Sequence, residues 1–319
     1  MPARRRHHAP TALAALAVLA FAAAGCSDPD PQNIPKVTGA FGTRPTVQIP
    51  SFPPPKGARM KVLKDGDGAE TKKGQVVVAQ VDMRVWEQNR PLMDTYRLDQ
   101  PTTAVLDGEH VSRTWDQALL GRKAGSRVLL VTPATHGFGP GGMAPAQVSP
   151  SDHMVLVFDV IGGYDPKQQV SGEQRPAAGD SKKGEQNGPS VTVTTGEEPK
   201  LSDWGAAPRT LGTRTLVAGQ GGKIADGDTV VLQYTGFEWG KPTSFSSTYL
   251  RSGPNGFVVH GGDSMLPGWY DGLKGQRVGS RVLLTVPDDQ SPHFKMTKGG
   301  VAAPPGKAAA YVFDILDRR

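Results

Sequence analysis

The sequence has few residues that could cross-link the chain or bind a metal. Among 319 residues there is one cysteine, Cys26, which excludes a disulfide within the chain. Four histidines, His136, His153, His260 and His293, stand singly and lack the spacing of metal ligands, so we expect them to be surface groups. Neither a disulfide-stapled fold nor a metal centre is therefore expected, and any core must come from apolar packing.

The apolar run near the start, Ala12 to Ala24, is shorter than the roughly 20 residues that a membrane-spanning helix needs. It follows the basic stretch MPARRRHH, so residues 1–25 are predicted to be a signal peptide. The small residues before Cys26 resemble a bacterial lipobox, whose cysteine receives a lipid and becomes the mature N-terminus. We expect an extracytoplasmic protein anchored to the cell membrane through Cys26. The alternative is a plain signal peptide and a secreted protein.

The chain also lacks a strong excess of one charge. Its formal net charge is +6, and loss of the segment before Cys26 removes Arg4, Arg5 and Arg6, so that +6 minus 3 leaves about +3. This small balance gives no reason to expect nucleic-acid binding, and Lys72-Lys73 and Lys182-Lys183 are interpreted as solvated surface.

Two stretches lack periodic hydrophobicity. Residues 26–58 are rich in proline and are predicted to be a partly extended tether. Residues 166–210 are polar and poor in bulky apolar residues, which predicts a disordered linker. Two blocks remain, at residues 59–165 and 211–319.

The two blocks are copies of one another. The word GSRVLL occurs at 125–130 and again at 279–284, and its surroundings match as well, with WDQALLGRKAGSRVLLVTP facing WYDGLKGQRVGSRVLLTVP. The strand-like runs VVAQVDMRVW and VVLQYTGFEW, and the closing runs VFDV and VFDI, keep nearly the same offset of about 154 residues. A constant offset over a whole block indicates a duplicated domain.

Within each block the apolar runs have the length and pattern of strands. One segment per block favours a helix, Trp115 to Leu120 in the first and Trp269 to Leu273 in the second, each followed by a glycine that ends it. The fold class predicted is α+β: two domains, each an antiparallel β half-barrel wrapped around one short helix.

The order of these motifs resembles the FKBP-type peptidyl-prolyl isomerases. The second block carries GQGGKIADGDTVVLQYTG, FSSTY, LPGWYDGLKGQRVGSRVLLTVP, APP and YVFDI. The first carries KDGDGAETKKGQVVV, MDTY, SRTWDQALLGRKAGSRVLLVTP, HGFG and LVFDV. The resemblance covers most of the chain after the tether.

The resemblance implies an apolar cup in each domain with a tryptophan as its floor. In the second domain it implies a catalytic set and two further substrate-binding residues: Tyr234, Phe245, Trp269 and Phe313, with Met265 and Leu266. In the first it implies five substrate-binding residues: Asp94, Val111, Trp115, Phe138 and Phe158. The alternative for each aromatic residue is plain core packing, for Asp94 a turn, and for Phe138 a loop hydrophobe.

Both copies depart from the family pattern. The pocket carboxylate is replaced by Ser246 in the second domain, and the segment DDQSPHFKM has no counterpart of the flap tyrosine. The first domain has Val81 in place of the strand tyrosine and Met93 in place of the phenylalanine. Activity that is weak, confined to one domain or absent is compatible with these changes.

The function expected is peptidyl-prolyl cis-trans isomerisation that assists the folding of exported proteins. This reaction needs no nucleophile, metal or cofactor, because the barrier is rotation about one amide bond. The partners expected are proline-containing polypeptides and the membrane, the latter through the lipid on Cys26, and a monomer is expected. One alternative is a binding module without catalysis, acting as a holdase or scaffold, and a more distant one is the solute-binding lipoprotein of a transporter.

Overall fold

The computed structural model describes residues 33–138, 147–173, 188–261, 265–266, 268–290 and 306–319. The predicted signal peptide and Cys26 lie outside these ranges. No helix in these ranges is both long and apolar enough to span a bilayer.

The first domain is one six-stranded antiparallel sheet with three short helices among its described residues. Its strands are β3 (Arg59–Lys64), β4 (Val76–Val85), β5 (Arg90–Asp94), β6 (Thr102–Val105), β7 (Arg127–Pro133) and β8 (His153–Tyr164). Its helices are α1 (Thr95–Leu98), α2 (Arg113–Leu119) and α3 (Ala134–Gly137). The strand order is β3-β7-β8-β4-β5, and β6 pairs with β4. A short hairpin, β1 (Lys36–Thr38) and β2 (Thr46–Gln48), precedes the sheet.

The second domain repeats this plan. Its strands are β11 (Gly212–Val217), β12 (Thr229–Glu238), β13 (Ser244–Ser247), β14 (Asn255–Val258), β15 (Arg281–Val286) and β16 (Ala309–Arg318), and its helix is α4 (Trp269–Leu273). The strand order is β11-β15-β16-β12-β13, and β14 pairs with β12. A hairpin of β9 (Ser190–Thr192) and β10 (Lys200–Ser202) precedes it. The predicted fold class, two half-barrel domains each around a short helix, is confirmed.

Helix α4 has the predicted bounds, whereas α2 (Arg113–Leu119) begins two residues before the predicted start at Trp115 and ends one residue before Leu120. The Ser112 hydroxyl accepts a hydrogen bond from the Trp115 backbone N–H and caps α2. Gly121 and Gly275 follow the two helices with φ of 70° and 82°, the left-handed conformation that glycine adopts without a steric cost.

The central strands read as continuous apolar runs because both faces of each sheet are covered. Helix α2 or α4 covers one face, which we call the cup face, and buries its tryptophan there. The opposite, outer face of the first sheet is covered by the β1–β2 hairpin, whose Val47 packs with Leu129, Val131, Val155 and Val157. A strand that is buried on both faces does not show the alternation of apolar and polar residues that is typical of a half-buried strand.

These hairpins correct two predictions. Residues 33–58 are not only a tether, and residues 188–210 are not disordered, because each stretch begins with a hairpin that packs on the outer face of the sheet following it. Residues 166–173 of the predicted linker are also described, and Pro166 and Val170 in them form hydrogen bonds with the second domain. Residues 174–187 lie outside the described ranges. The hairpins belong to the repeat: Lys36–Thr38 and Ser190–Thr192 are 154 residues apart, as are Thr46–Gln48 and Lys200–Ser202.

A buried ion pair marks the outer face of each sheet. Arg127 binds Asp159 at 2.6 Å in the first domain, and Arg281 binds Asp314 at 2.6 Å in the second. Each ion pair also forms hydrogen bonds with backbone groups of a segment outside the sheet. The Arg127 guanidinium donates to the carbonyls of Gly39 and Thr43 in the first domain. In the second, the Asp314 carboxylate accepts from the backbone N–H of Val170 at 2.9 Å.

Candidate functional site

The second cup is built around Trp269, the first residue of α4. Its indole is 1% exposed and lies between 4.8 and 5.3 Å, centroid to centroid, from four other rings. All four meet it edge to face, with interplanar angles from 72° to 84°. These rings belong to Tyr234, Phe257, Tyr311 and Phe313. Edge-to-face contact is a favoured geometry of aromatic pairs, so these contacts stabilise the cluster.

Strand pairing brings these rings together. Tyr234 on β12 lies directly opposite Phe313 on β16, and Tyr311 lies two residues before Phe313 on the same face. Phe257 reaches the cluster from β14, which pairs with the other edge of β12. Three strands and one helix therefore contribute to one aromatic wall.

The polar part of the second cup is a pair of hydroxyls. The Tyr234 and Ser246 hydroxyl oxygens lie 3.4 Å apart and both residues are buried. Burial raises the pKa of Tyr234, so its hydroxyl stays protonated and can donate at neutral pH. Ser246 stands where the resemblance implies the family's pocket carboxylate, and it lies opposite Gly236, on the face of the sheet that carries Tyr234.

The remaining residues predicted for this cup lie along its border. Met265 and Leu266 are 6% and 3% exposed and belong to the same apolar cluster. The Leu266 carbonyl accepts a hydrogen bond from the Trp269 backbone N–H at 3.0 Å. Phe245 is partly buried and meets the Tyr311 ring edge to face at 5.7 Å. Most of the segment DDQSPHFKM lies in 291–305, outside the described residues.

The first cup is centred on Trp115 and is lined by aliphatic and thioether groups. Trp115 contacts Phe158 edge to face at 4.9 Å. Val111 and Phe138 are partly buried against the same cluster. The Trp115 indole N–H donates to the carbonyl of Gly137 at 3.1 Å, which ties the floor of this cup to α3.

The assignment of Asp94 to the first cup needs correction. Asp94 lies opposite Asp82 in the β4–β5 pair, whereas the neighbour of Asp82, Val81, faces the cup. Residues directly opposite one another in an antiparallel pair point to the same face, so Asp94 points to the outer face. There it binds the Arg44 guanidinium at 2.7 Å and caps α1.

The residue that matches Ser246 is Met93. Met93 lies opposite Met83, as Ser246 lies opposite Gly236, and each strand bulges at the next step of the pairing. The threonines that follow confirm this register, since Thr95 accepts from the Val81 backbone N–H and Thr248 from that of Tyr234. The first cup therefore has Val81 and Met93 where the second has two hydroxyls.

Sequence reasoning missed Phe257 and Tyr311 in the second cup. The signal for Tyr311 was its position two residues before Phe313 in YVFDI, which puts both rings on one face of a strand. The signal for Phe257 was weaker, because its strand is short and pairs only with β12 among the described strands.

A family model described as FKBP-type peptidyl-prolyl cis-trans isomerase matches residues 68–161 and 221–316. An FK506-binding protein of Streptomyces anulatus is 25% identical over 118 residues, which cover 37% of this chain and 95% of that protein. The FKBP-type peptidyl-prolyl cis-trans isomerase FkpA of Escherichia coli K12 is 34% identical over 106 residues, 33% of this chain and 36% of that protein.

Two solved structures show similar chains. The crystal structure of the three FKBP domains of wheat FKBP73 aligns at 17% identity with a TM-score of 0.30, covering 82% of this chain and 95% of that one. The crystal structure of FkpA from Escherichia coli aligns at 22% identity with a TM-score of 0.29, covering 34% of this chain and 52% of that one.

Proposed function

The chain belongs to the FKBP-type peptidyl-prolyl cis-trans isomerase family and carries two such domains, and on this premise we propose that its second domain isomerises X-Pro bonds in exported polypeptides. The observation that carries the proposal is the second cup: four aromatic rings around Trp269 beside a buried pair of hydroxyls. The first cup has the tryptophan floor without the hydroxyls.

The proposed reaction is rotation about one amide bond. The planar amide is held by resonance, and the barrier to its rotation is about 18–20 kcal/mol. The planar amide carries a charge separation that the twisted amide has lost. A water-free aromatic environment therefore disfavours the planar state relative to the twisted one. Trp269 serves as the floor under the prolyl ring, with Tyr234, Phe245 and Phe313 as walls.

The hydroxyl pair orients the substrate. A protonated Tyr234 hydroxyl can donate to the carbonyl of the residue before proline, and the Ser246 hydroxyl can accept or donate as the pair requires. Ser246 does not bring the charge of the family's carboxylate. We therefore expect catalysis weaker than that of a family member with aspartate at this position.

A second role is proposed for the first domain: capture of apolar or proline-containing segments without catalysis. The replacement of both hydroxyls by Val81 and Met93, and the bond from the Trp115 indole to Gly137, favour this role. A wholly apolar cup can hold an apolar side chain through burial alone.

The proposed location is the outer face of the cell membrane, with a lipid on Cys26 as the anchor. It is supported by the basic start, the apolar run from Ala12 to Ala24 and the lipobox-like residues before Cys26. Metabolic labelling with a radioactive fatty acid tests it: the wild-type chain takes up label and the Cys26→Ala variant does not. Label in the variant, or none in either chain, would reject the anchor.

The enzymatic proposal is tested on purified residues 27–319 with a proline tetrapeptide whose trans form alone is cleaved by a protease. The expected result is acceleration of the slow cis phase in proportion to protein concentration. A folded chain that leaves this phase at the uncatalysed rate rejects isomerisation and leaves the binding role for both domains.

A further inference from the structure

The two domains contact each other through corresponding parts of their sheets. A buried apolar cluster joins them, which we call the interdomain cluster: Val78, Ile161, Tyr164, Val231 and the partly buried Leu316. Three of these residues come from the first domain and two from the second. Four of these five side chains are at most 5% exposed, so the contact resembles a small piece of core.

The interdomain cluster is built from equivalent positions of the two repeats. Val78 and Val231 occupy the same place on β4 and β12, three residues before Val81 and Tyr234. Ile161 and Leu316 are the bulged residues at the same step of the β4–β8 and β12–β16 pairs. A patch that meets its own copy is the arrangement of a two-fold dimer interface, here formed within one chain.

Polar contacts fix the register of this interface. The Tyr164 hydroxyl donates to the Asp317 carboxylate at 2.9 Å, and the Gln233 side chain donates to the Pro166 carbonyl at 3.1 Å. Burial, followed by the nearby Asp317, raises the pKa of Tyr164 well above its usual value, so this hydroxyl remains a donor at all physiological pH values.

Strand β14 lies between this interface and the second cup. On one side Gly256 faces the first domain so closely that a Cβ there would lie 2.7 Å from Val78 Cγ1 and 2.8 Å from Pro101 Cβ. On the other side the adjacent Phe257 contacts the Trp269 ring at 5.3 Å. The Val258 backbone N–H donates to the Asp99 carbonyl at 3.2 Å, so the first domain also binds the backbone of β14.

We propose that the first domain acts as an intramolecular partner that positions the Phe257 wall of the second cup, with Gly256 and Tyr164 as positioning residues. The proposal rests on the proposed function, in which that cup binds the prolyl ring. Contact with the first domain restrains β14 at Gly256. Because Phe257 is the next residue of the strand, its position is restrained as well. A looser wall binds substrate less well, whereas Trp269 and the hydroxyl pair remain in place.

The test uses residues 27–319 with three single substitutions. Gly256→Ala inserts a methyl group into the contact with Val78 and Pro101, and Tyr164→Phe removes the hydroxyl bound to Asp317. Tyr96→Phe is the matched control, because it removes a hydroxyl that also binds an aspartate, Asp159 at 2.8 Å, with both partners in the first domain. Two quantities are measured: amide hydrogen exchange of residues 255–261, and KM and kcat for a proline peptide.

We expect Gly256→Ala to raise KM about tenfold with kcat changed less than about twofold, and Tyr164→Phe to raise KM about two- to threefold, since the Tyr164 hydroxyl acts on β14 only through the docking of the first domain. Exchange of residues 255–261 rises in both variants and stays at the wild-type rate in Tyr96→Phe. Unchanged exchange in Gly256→Ala and Tyr164→Phe, or faster exchange with unchanged KM, would overturn the proposal. If the wild-type chain has no isomerase activity the proposed function fails, and hydrogen exchange still decides whether the first domain orders β14.

Discussion

At the scale of single residues, the difference between the two cups lies at two positions. Tyr234 and Ser246 place two hydroxyls beside the aromatic wall of the second cup, while Val81 and Met93 fill the same places in the first with apolar atoms. A hydroxyl can orient an amide carbonyl and a methyl group cannot. The proposed catalytic difference between the domains therefore rests on these two pairs.

Restoring the carboxylate tests the hydroxyl pair directly. In Ser246→Asp the new side chain accepts from the Tyr234 hydroxyl, and a hydrogen bond to a charged group contributes about 1 kcal/mol more than a neutral one. We expect kcat/KM for a proline peptide to rise about fivefold. The matched variant is Met93→Asp, which buries a carboxylate beside Val81 with no donor from that side chain. We expect it to lower Tm without a gain in rate. A folded Ser246→Asp chain with no gain contradicts the assigned position.

The tyrosines predict how stability depends on pH. Five of the six have pKa values raised mainly by burial: Tyr96, Tyr164, Tyr234, Tyr249 and Tyr311. Below about pH 10 both the folded and the unfolded chain keep these protons, so they leave stability unchanged. Above pH 10 the unfolded chain loses protons that the folded chain retains, and the free energy of unfolding falls by up to about 1.4 kcal/mol per tyrosine and pH unit.

Urea titrations between pH 8 and pH 11 measure this fall. The wild-type curve is expected to be flat to about pH 10 and then to decline, and Tyr96→Phe is expected to decline less steeply because one of the five groups is gone. Parallel curves for the two proteins would show that Tyr96 ionises as readily in the folded chain as in the unfolded one.

At the scale of secondary-structure elements, the hairpins before each domain explain how both faces of each sheet are covered. Helices α2 and α4 cover the cup faces, and the β1–β2 and β9–β10 hairpins cover apolar surface on the outer faces. Val47 in the first hairpin and Leu201 in the second are 5% exposed, although each strand has only three residues. The hairpins begin 23 and 22 residues before the first strand of the sheet that each covers, at Lys36 before Arg59 and at Ser190 before Gly212.

The contribution of the first hairpin to stability can be tested by placing a charge on its buried side. Val47→Asp places a carboxylate against Leu129, Val131 and Val155, which contain no polar side-chain atom, and we expect the free energy of unfolding to fall by about 3 kcal/mol. Thr46→Asp is the matched control, because the neighbouring side chain is exposed and should change stability by less than about 0.5 kcal/mol. Equal effects of the two substitutions in a thermal or urea unfolding experiment would show that the hairpin does not cover the sheet in solution.

At the scale of the whole molecule, the duplication could be predicted from the sequence, because similar segments at a constant offset can be recognised without knowing how the chain packs. The strands and the two helices around Trp115 and Trp269 were predicted from the apolar pattern within each repeat, whereas the residues of the second cup were predicted from the resemblance to the FKBP-type isomerases. Tyr311 could also be predicted as a cup residue, because it lies two residues before Phe313 and a strand repeats its faces every two residues.

Two features could not be predicted from the pattern alone. The face on which Asp94 lies is set by the pairing of β5 with β4: Asp94 lies opposite Asp82 and Met93 opposite Met83, and neighbouring residues of a strand point to opposite faces, so Asp94 lies on the outer face and Met93 in the cup. The hairpins were missed because strands of three residues carry almost no periodic signal and depend on apolar surface distant in the sequence. Both features arise from long-range pairing, to which a local pattern is insensitive.

The most direct measurement of the central claim, that the second cup isomerises X-Pro bonds, is the protease-coupled proline assay on Trp269→Leu. Trp204→Leu is the matched control, since Trp204 lies on the outer face of the same domain beside Phe237. We expect the wild-type chain and Trp204→Leu to accelerate the cis phase alike, and Trp269→Leu, with its fold confirmed by circular dichroism, to lose at least about 90% of kcat/KM. Equal rates for Trp269→Leu and Trp204→Leu would contradict it.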